Sequence, residues 1–186
     1  MTSKRSFLKQ FFKDRKVVGA VSPSTRFLGD KMLADIDFDR AKNLVELGPG
    51  TGVFTDIIIQ RMHKDAKLLV LELNDEFYHA LKARIHDPRV QIIHDSAENI
   101  SKYLSEDDQK KQDAVISSLP LMVFSLPLRK AVIDASYEAL KPKGKYVQFQ
   151  YSLQSKKFLE GIFADVKIKF TVKNFPPAFV YTCRKS

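Results

Sequence analysis

The chain has 186 residues, which suits a single domain with one sizeable core, and its one cysteine excludes an intramolecular disulfide. Lysine and arginine number 31 against 22 acidic residues, so the net charge of +9 favours an anionic partner, either nucleic acid or an anionic membrane surface. A basic surface that is only solvated stays open as the alternative. No apolar run is long enough to cross a membrane, no signal peptide is recognisable, and the four scattered histidines predict no metal site.

Residues 3–18 are predicted to form a basic amphipathic helix. Phe7 and Phe11 stand four residues apart, each beside another apolar residue, so the aromatic rings cluster on one helical face. Six basic residues, Lys13 and Lys16 among them, accompany a single acid in this segment. That composition is typical of a helix that lies on an anionic lipid surface. A helix docked on its own domain, with its cations facing water, is the alternative.

A second helix is predicted before the first strand. The G-A-V-S-P-S-T turn at 19–25 ends the first helix, and Ser24 is suited to cap the next one. We expect both helices, within residues 1–36, to lie as a lid over the edge of a core formed by residues 43–186. The chain is then one domain with an N-terminal lid.

The stretch N-L-V-E-L-G-P-G-T-G-V-F-T-D at 43–56 predicts a buried parallel strand, a glycine loop and the start of a helix. Gly48, Gly50 and Gly52 alternate with other residues in a G-x-G-x-G spacing. The dinucleotide fingerprint G-x-G-x-x-G would instead require a glycine at Val53. Such a loop lets the backbone approach a small ligand closely at a helix start.

The rest of the chain alternates between strands and helices. A second strand at 67–72 ends in Glu72, which follows Gly52 by 72 − 52 = 20 residues, the distance at which a ribose-binding acid is expected. The later strands are predicted at 89–94, 113–117, 145–151, 166–172 and 179–184. The last two form a closing antiparallel hairpin, so the pattern predicts an α/β fold.

The glycine spacing resembles the first motif of class I S-adenosylmethionine-dependent methyltransferases. This resemblance implies a Rossmann-like sheet of seven strands with helices on both faces, and S-adenosyl-L-methionine as cofactor. It also implies that Glu46 faces the cationic amino-acid end of the cofactor, and that Asp95 meets the adenine amine. Capping of the helix that begins at residue 97 explains Asp95 equally well. Further cofactor contacts are expected at Leu73, Ser96 and Ser117.

Longer strings are similar to bacterial phospholipid N-methyltransferases, which methylate phosphatidylethanolamine. They are G-A-V-S-P-S at 19–24, E-L-G-P-G-T-G at 46–52, S-S-L-P-L at 117–121, V-Q-F-Q-Y at 147–151 and F-P-P-A at 175–178. The same strings have some likeness to ribosomal RNA adenine dimethylases, whose fourth motif reads N-L-P-Y or N/D-P-P-Y. Here that motif is S-L-P-L, ending at Leu121. The missing amide and aromatic ring argue against an adenine acceptor.

The resemblance implies methyl transfer to the headgroup amine of phosphatidylethanolamine, with an ornithine lipid as a further possibility. We expect the Ser118 hydroxyl, the Leu119 carbonyl and the Tyr151 hydroxyl to accept the protons of that amine. A core aromatic with a satisfied hydroxyl is the alternative for Tyr151. Arg26 or Lys16, beside the turn that contains Ser22 and Ser24, is expected to hold the lipid phosphate.

These expectations describe a cytoplasmic enzyme that associates peripherally with the inner face of the membrane and uses a phospholipid as substrate. Two other functions stay open at this point. One is an RNA adenine N6-methyltransferase, for which the +9 charge serves nucleic acid. The other is a domain that has lost catalysis and binds a membrane or a protein. The sequence leaves the oligomeric state open.

Overall fold

In the computed structural model, which describes residues 23–172 and 176–186, the chain forms a mixed β-sheet between two layers of helices. Several predicted lid and membrane residues lie outside the described residues: Phe7, Phe11, Lys13, Lys16 and Ser22. The side chain of Ser24 also lies outside them. The division into a lid at 1–36 and a core at 43–186 therefore stays a prediction.

Seven strands of the described residues form the sheet. They are β1 (Asn43–Leu47), β2 (Lys67–Leu71), β3 (Val90–Ile93), β4 (Gln112–Ser117), β5 (Leu140–Gln150), β6 (Asp165–Thr171) and β7 (Ala178–Arg184). Their order in the sheet is β3-β2-β1-β4-β5-β7-β6. The first five strands pair in parallel, and β7 pairs antiparallel with both β5 and β6. This topology confirms the predicted α/β class with its closing antiparallel hairpin.

The central strands are short apolar runs because helices cover both of their faces. In β1, Leu44 packs on one face with Phe54 and Ile58, whereas Val45 packs on the other face with Val132. Adjacent residues of a strand point to opposite faces, so this division follows directly from the pleat. Both faces are therefore core, which leaves the ends of the strands for ligand sites.

The helices form two layers. One layer contains α1 (Pro23–Leu33), α2 (Val53–Arg61) and α3 (Asp75–Arg84), and the other contains a 3₁₀ helix (Ala97–Tyr103), α4 (Leu126–Ala139) and α5 (Lys156–Glu160). Each parallel strand from β1 to β4 leads into one of these helical segments or into the short 3₁₀ turn Leu121–Val123 that precedes α4. None of the helices in the described residues combines the length and the apolar composition needed to cross a bilayer.

The boundary between α4 and β5 differs from the prediction. The K-P-K-G stretch at 141–144 was expected to separate the helix from a strand that starts at Lys145. Instead β5 begins at Leu140, which pairs with Gln112, and the register shifts before Lys145 pairs with Ala114. Lys143 takes a φ of 64° in this irregular segment. A bulge therefore absorbs the turn residues within a longer strand.

Contacts after α1 fix the direction of this helix relative to the sheet. The Asp35 carboxylate accepts hydrogen bonds from Lys169 at 2.7 Å and from Thr182 at 3.0 Å, and Lys145 donates to the Asp35 carbonyl. Lys145 lies near the amino-terminal start of the parallel part of β5. The amino-terminal end of α1, including Arg26, therefore lies toward the edge at which the parallel strands end.

Candidate active site

The glycine loop after β1 has a backbone that only glycine adopts easily. Gly48, Gly50 and Gly52 have φ values of 63°, 61° and 82°, all in the left-handed region. A Cβ atom on Gly48 would lie 2.5 Å from Cδ2 of Leu119, so a side chain there would displace the Leu119 side chain. Gly52 is the N-cap of α2. The loop thus presents bare backbone at the carboxyl edge of the sheet.

Two charged side chains hold this loop in place. Glu72, which is fully buried, accepts hydrogen bonds from the backbone N–H of Gly50 at 2.9 Å and of Asn74 at 2.7 Å. Arg84 of α3 donates to the Thr51 carbonyl at 3.3 Å and forms an ion pair with Asp56 at 2.5 Å. Sequence reasoning missed Arg84, because it lies 33 residues from Thr51 and no local pattern connects them.

Glu46 is a carboxyl group on β1 that is fully buried. Among the described residues neither of its oxygens accepts a hydrogen bond of ordinary geometry, although Thr55 is close enough to favour the ionised form. Loss of solvent, together with the nearby carboxylates of Asp56 and Glu72, raises the pKa of Glu46 to about 8 against the lowering effect of Thr55. Arg84 opposes that shift. A cationic ligand group would relieve this buried acidic cluster.

A cavity lies between the glycine loop, β2 and α4, and we call it the cofactor cavity. It brings together four predicted cofactor residues with Gly48, although they follow different strands. The full lining is Gly48, Leu71, Glu72, Leu73, Asp95, Ser96, Ala97, Leu119, Phe124, Leu128 and Val132. The carboxyl ends of neighbouring parallel strands meet at one edge, which explains why these residues converge.

Asp95 follows β3 at the rim of the cofactor cavity and already has several protein partners. Its carboxylate accepts hydrogen bonds from the Tyr103 hydroxyl at 2.6 Å, the Ser96 N–H at 2.7 Å and the Asn99 amide at 2.8 Å. The bond from Tyr103 holds the pKa of Asp95 below its usual range. Asp95 therefore stabilises the start of the 3₁₀ helix and stays ionised, and its contact with a cofactor amine stays a prediction.

A second cavity of about 220 Å³ lies between the turn after β4 and the end of β5, and we call it the acceptor cavity. It is lined by Ser118, Leu119, Pro120, Met122, Val123, Phe149, Gln150, Tyr151 and Ser152. The three predicted catalytic residues are thus brought together. Leu119 lines both cavities, so the acceptor cavity adjoins the cofactor cavity. The Ser118 hydroxyl is buried and has no hydrogen-bond partner among the described residues.

The Leu119 carbonyl is held by two glutamine side chains that sequence reasoning missed. Gln148 donates to this carbonyl at 2.5 Å and Gln150 at 3.4 Å. The Tyr146 hydroxyl donates to Oε1 of Gln148 and so orients its amide nitrogen toward Leu119. The alternation V-Q-F-Q-Y in β5 was the available signal, since it places both glutamines on one face. An amine that binds the Leu119 carbonyl must share it with these amides.

Three other predicted positions lie apart from the cavity linings. Ser117 is buried in β4, where its hydroxyl accepts a hydrogen bond from the Leu119 N–H at 3.3 Å. Arg26 is exposed on α1, at the end of that helix nearest the carboxyl edge. Leu121 is fully buried in the core.

Tyr151, in the lining of the acceptor cavity, is 53% exposed, so it is not a core aromatic, and its ring packs edge-on against Phe149 at 5.7 Å.

The sheet order, the glycine loop and the two adjoining cavities define a methyltransferase of class I. The same fold occurs in the N-methyltransferase NodS from Bradyrhizobium japonicum WM9 in complex with S-adenosyl-L-homocysteine, with a TM-score of 0.69, 12% identity and 89% coverage of each chain. It also occurs in 1,6-didemethyltoxoflavin-N1-methyltransferase from Burkholderia thailandensis, with a TM-score of 0.73, 14% identity and coverage of 98% of this chain and 87% of that one. The chain belongs to the ribosomal RNA adenine dimethylase family, whose model matches residues 1–166.

A curated relative has a different acceptor in its name. Ornithine lipid N-methyltransferase from Singulisphaera acidiphila is 28% identical over 180 residues, which cover 96% of this chain and 94% of the relative. Family and relative agree on N-methylation, so the chain is an S-adenosylmethionine-dependent N-methyltransferase. They differ in the acceptor, which is a nucleobase for the family and a lipid for the relative.

The residues present fit S-adenosyl-L-methionine. The glycine loop leaves room for close backbone contact, and the unpartnered carboxyl group of Glu46 matches the cationic amino-acid end of this cofactor. Glu72 and Asp95 line the cofactor cavity, and their contacts with the ribose and the adenine stay predictions. Across residues 23–172 and 176–186, no three His, Cys, Asp or Glu side chains are placed to hold a metal ion.

Proposed function

We propose that this enzyme methylates the amine of a lipid headgroup, with an ornithine lipid as the first acceptor to test and phosphatidylethanolamine as the second. The observation that carries the proposal is the lining of the acceptor cavity. It holds apolar and uncharged polar side chains and no Asp, Glu, His, Lys or Arg among the described residues. The lipid acceptor of the Singulisphaera acidiphila relative supports the same class.

The uncharged lining favours the reactive form of an amine. A primary ammonium has a pKa of about 10 in water, so most of it carries a proton at neutral pH. Transfer into a cavity without a carboxylate penalises the charged form and lowers the pKa of the amine. The neutral amine that results has the lone pair that methylation requires. When bound, S-adenosylmethionine supplies a methyl group that its sulfonium already activates.

Three oxygen atoms are available to orient the amine. The unpartnered Ser118 hydroxyl accepts one N–H, and the Leu119 carbonyl, shared with two glutamines, accepts another. Leu119 also lines the cofactor cavity, and Ser118 directly precedes it in the chain. In this proposal an amine bound to both residues therefore faces the cofactor. Tyr151 at the cavity mouth offers its hydroxyl, and its ring stabilises a methylated cation by a cation–π contact.

The phosphate or carboxylate of the headgroup needs a cation near the carboxyl ends of the parallel strands. Arg26 at the amino-terminal end of α1 is exposed there and serves this role in our proposal, together with Lys16 and the S-P-S turn. The basic segment at 3–18 holds the enzyme on the inner face of an anionic membrane. The enzyme then works as a peripheral cytoplasmic protein.

An RNA adenine acceptor is the second candidate, and the family match favours it. The acceptor cavity contains two aromatic rings, those of Phe149 and Tyr151, which are suited to stack on a base. Against it, Ser118 replaces the amide that adenine dimethylases carry in the fourth motif. A serine hydroxyl has one O–H donor and two acceptor lone pairs, in a geometry that differs from that of the side-chain amide it replaces.

Methyl transfer from labelled S-adenosylmethionine distinguishes these acceptors. The wild-type enzyme is incubated with phosphatidylglycerol vesicles that contain either an ornithine lipid or phosphatidylethanolamine, and with bulk ribosomal RNA in parallel. We expect label in the lipid fraction, with the preferred headgroup given by the higher kcat/KM. Label in RNA alone overturns the lipid proposal.

Substitution of Ser118 tests the role of its hydroxyl. The Ser118→Ala variant is expected to lower kcat about tenfold to a hundredfold, because an amine loses an acceptor that aligns it. The Kd of S-adenosylmethionine, measured by calorimetry, should stay within about twofold of wild type. Ser155 is a matched control, since its hydroxyl is also buried and unpartnered but lies outside both cavities. Equal kcat values for Ser118→Ala and Ser155→Ala would contradict this role.

A further inference from the structure

Four large exposed apolar side chains either line the acceptor cavity or closely follow its lining residues along the chain. Val123 is 47% exposed, Leu126 70%, Tyr151 53% and Leu153 48%. Val123 and Tyr151 line the cavity itself, and Leu126 and Leu153 follow them along the chain by three and two residues. We call these four residues the apolar rim. An exposed apolar patch beside a ligand cavity indicates an interaction surface.

The apolar rim is held in a fixed shape rather than left loose. Arg129 of α4 donates hydrogen bonds to the carbonyls of Leu121 at 2.8 Å, Met122 at 3.1 Å and Phe124 at 3.3 Å. On the other side of the cavity, the Tyr181 hydroxyl donates to the Ser152 carbonyl at 2.9 Å. The backbone next to both halves of the rim is thus anchored to the core, and the apolar side chains remain outside.

The charges that follow the rim residues along the chain have a small positive sum. Residues 117–133 and 148–159, which contain the rim, carry four cations and no acid: Arg129, Lys130, Lys156 and Lys157. Asp134 and Glu160, one helical turn beyond, pair with Lys130 and Lys156, which leaves a net charge of 4 − 2 = +2. Apolar side chains bordered by cations complement an anionic lipid surface, in which acyl chains lie beneath phosphate groups.

We propose that the apolar rim inserts into the interfacial layer of an anionic bilayer, so that an aminolipid enters the acceptor cavity headgroup first. This inference rests on the proposed lipid acceptor. Val123 and Tyr151 line the cavity and are about half exposed, so in this proposal the remainder of a molecule bound at Ser118 emerges between them. Acyl chains emerging there would contact the rim and the surrounding lipid rather than water. The rim therefore favours an acceptor presented by a membrane.

The test removes the two rim residues that lie outside the cavity lining. The Leu126→Ser/Leu153→Ser double variant is compared with wild type for flotation with phosphatidylglycerol vesicles, without cofactor. We expect binding at least about tenfold weaker. With vesicles that contain the aminolipid substrate, KM should rise by a similar factor. Activity on a short-chain, water-soluble form of the same aminolipid should stay within twofold, because the cavity lining is unchanged.

Leu104→Ser is the control for this experiment, at a leucine that is partly buried against the core. It makes the same chemical change beside a cavity lined by Asn43, Lys67 and Gln112, the first residues of β1, β2 and β4, so it lies at the opposite edge of the sheet. Vesicle binding of Leu104→Ser should equal that of wild type. The rim inference is overturned if the double variant binds vesicles as wild type does, or loses activity equally on the soluble acceptor. If wild type transfers no methyl group to any lipid, the proposed function fails, while flotation still reports on the rim.

Discussion

Replacing Gly48 with alanine is expected to remove most cofactor binding and to destabilise the fold. The φ of 63° costs an L-residue about 1–2 kcal/mol, and the new Cβ would lie 2.5 Å from Leu119. Leu119 lines both cavities, so its displacement alters the cofactor site and the acceptor site together. We expect the Kd of S-adenosylmethionine to rise at least about tenfold and Tm to fall by about 2–8 °C.

Gly161 provides the control for this substitution. It has a φ of −78° as the C-cap of α5, and a Cβ there would meet its nearest neighbours at an ordinary 3.6 Å. Gly161→Ala should therefore leave both Kd and Tm close to the wild-type values. A Gly48→Ala variant that binds S-adenosylmethionine within twofold of wild type would show that the loop tolerates a side chain.

The cofactor half of the site was predictable because its signals are local. The glycine spacing sets the loop, and acids at the ends of successive parallel strands must converge at one edge of the sheet. Gly48 and Glu72 were identified in this way, whereas Asp95 was identified from the family resemblance, and all three line one cavity. Arg84 was missed, since its hydrogen bond to Thr51 depends on how α3 packs against the loop. Packing of that kind leaves no periodic pattern in the sequence.

The acceptor half was harder to predict, because its chemistry depends on side chains that are far apart in the sequence, although β4 and β5 are neighbours in the sheet. The fourth motif alone suggested that an aromatic ring was missing at Leu121. In the fold Leu121 is buried in the core, whereas Phe149 and Tyr151 bring two rings to the acceptor cavity from β5. The argument against adenine from Leu121 is therefore weaker than the sequence indicated. Gln148 likewise acts at Leu119 from 29 residues away.

Replacing Glu46 with glutamine is expected to stabilise the ligand-free protein at alkaline pH. Burial raises the pKa of Glu46 from 4.5 to about 8, so the native state keeps a proton that the unfolded state releases above pH 4.5. The free energy of unfolding therefore falls as pH rises from about 4.5 to about 8, by up to about 5 kcal/mol in total. Glutamine does not titrate, so this decline should be absent from the variant. Urea unfolding of both proteins at pH 5 and pH 8.5 measures the difference.

The same Glu46→Gln substitution is expected to weaken cofactor binding, and the opposite signs identify the role of the carboxyl group. An ionised Glu46 attracts the cationic amino-acid end of S-adenosylmethionine, so wild-type affinity should rise with pH until about pH 8. Glutamine removes that charge, so we expect affinity about tenfold to a hundredfold lower at pH 8.5 and a flat pH profile. Calorimetric titration from pH 6 to pH 9 measures both. If the role of Glu46 is purely structural, the Glu46→Gln substitution lowers the free energy of unfolding and leaves the pH dependence of binding intact. If Glu46 binds the cation, the substitution raises the free energy of unfolding and removes that pH dependence.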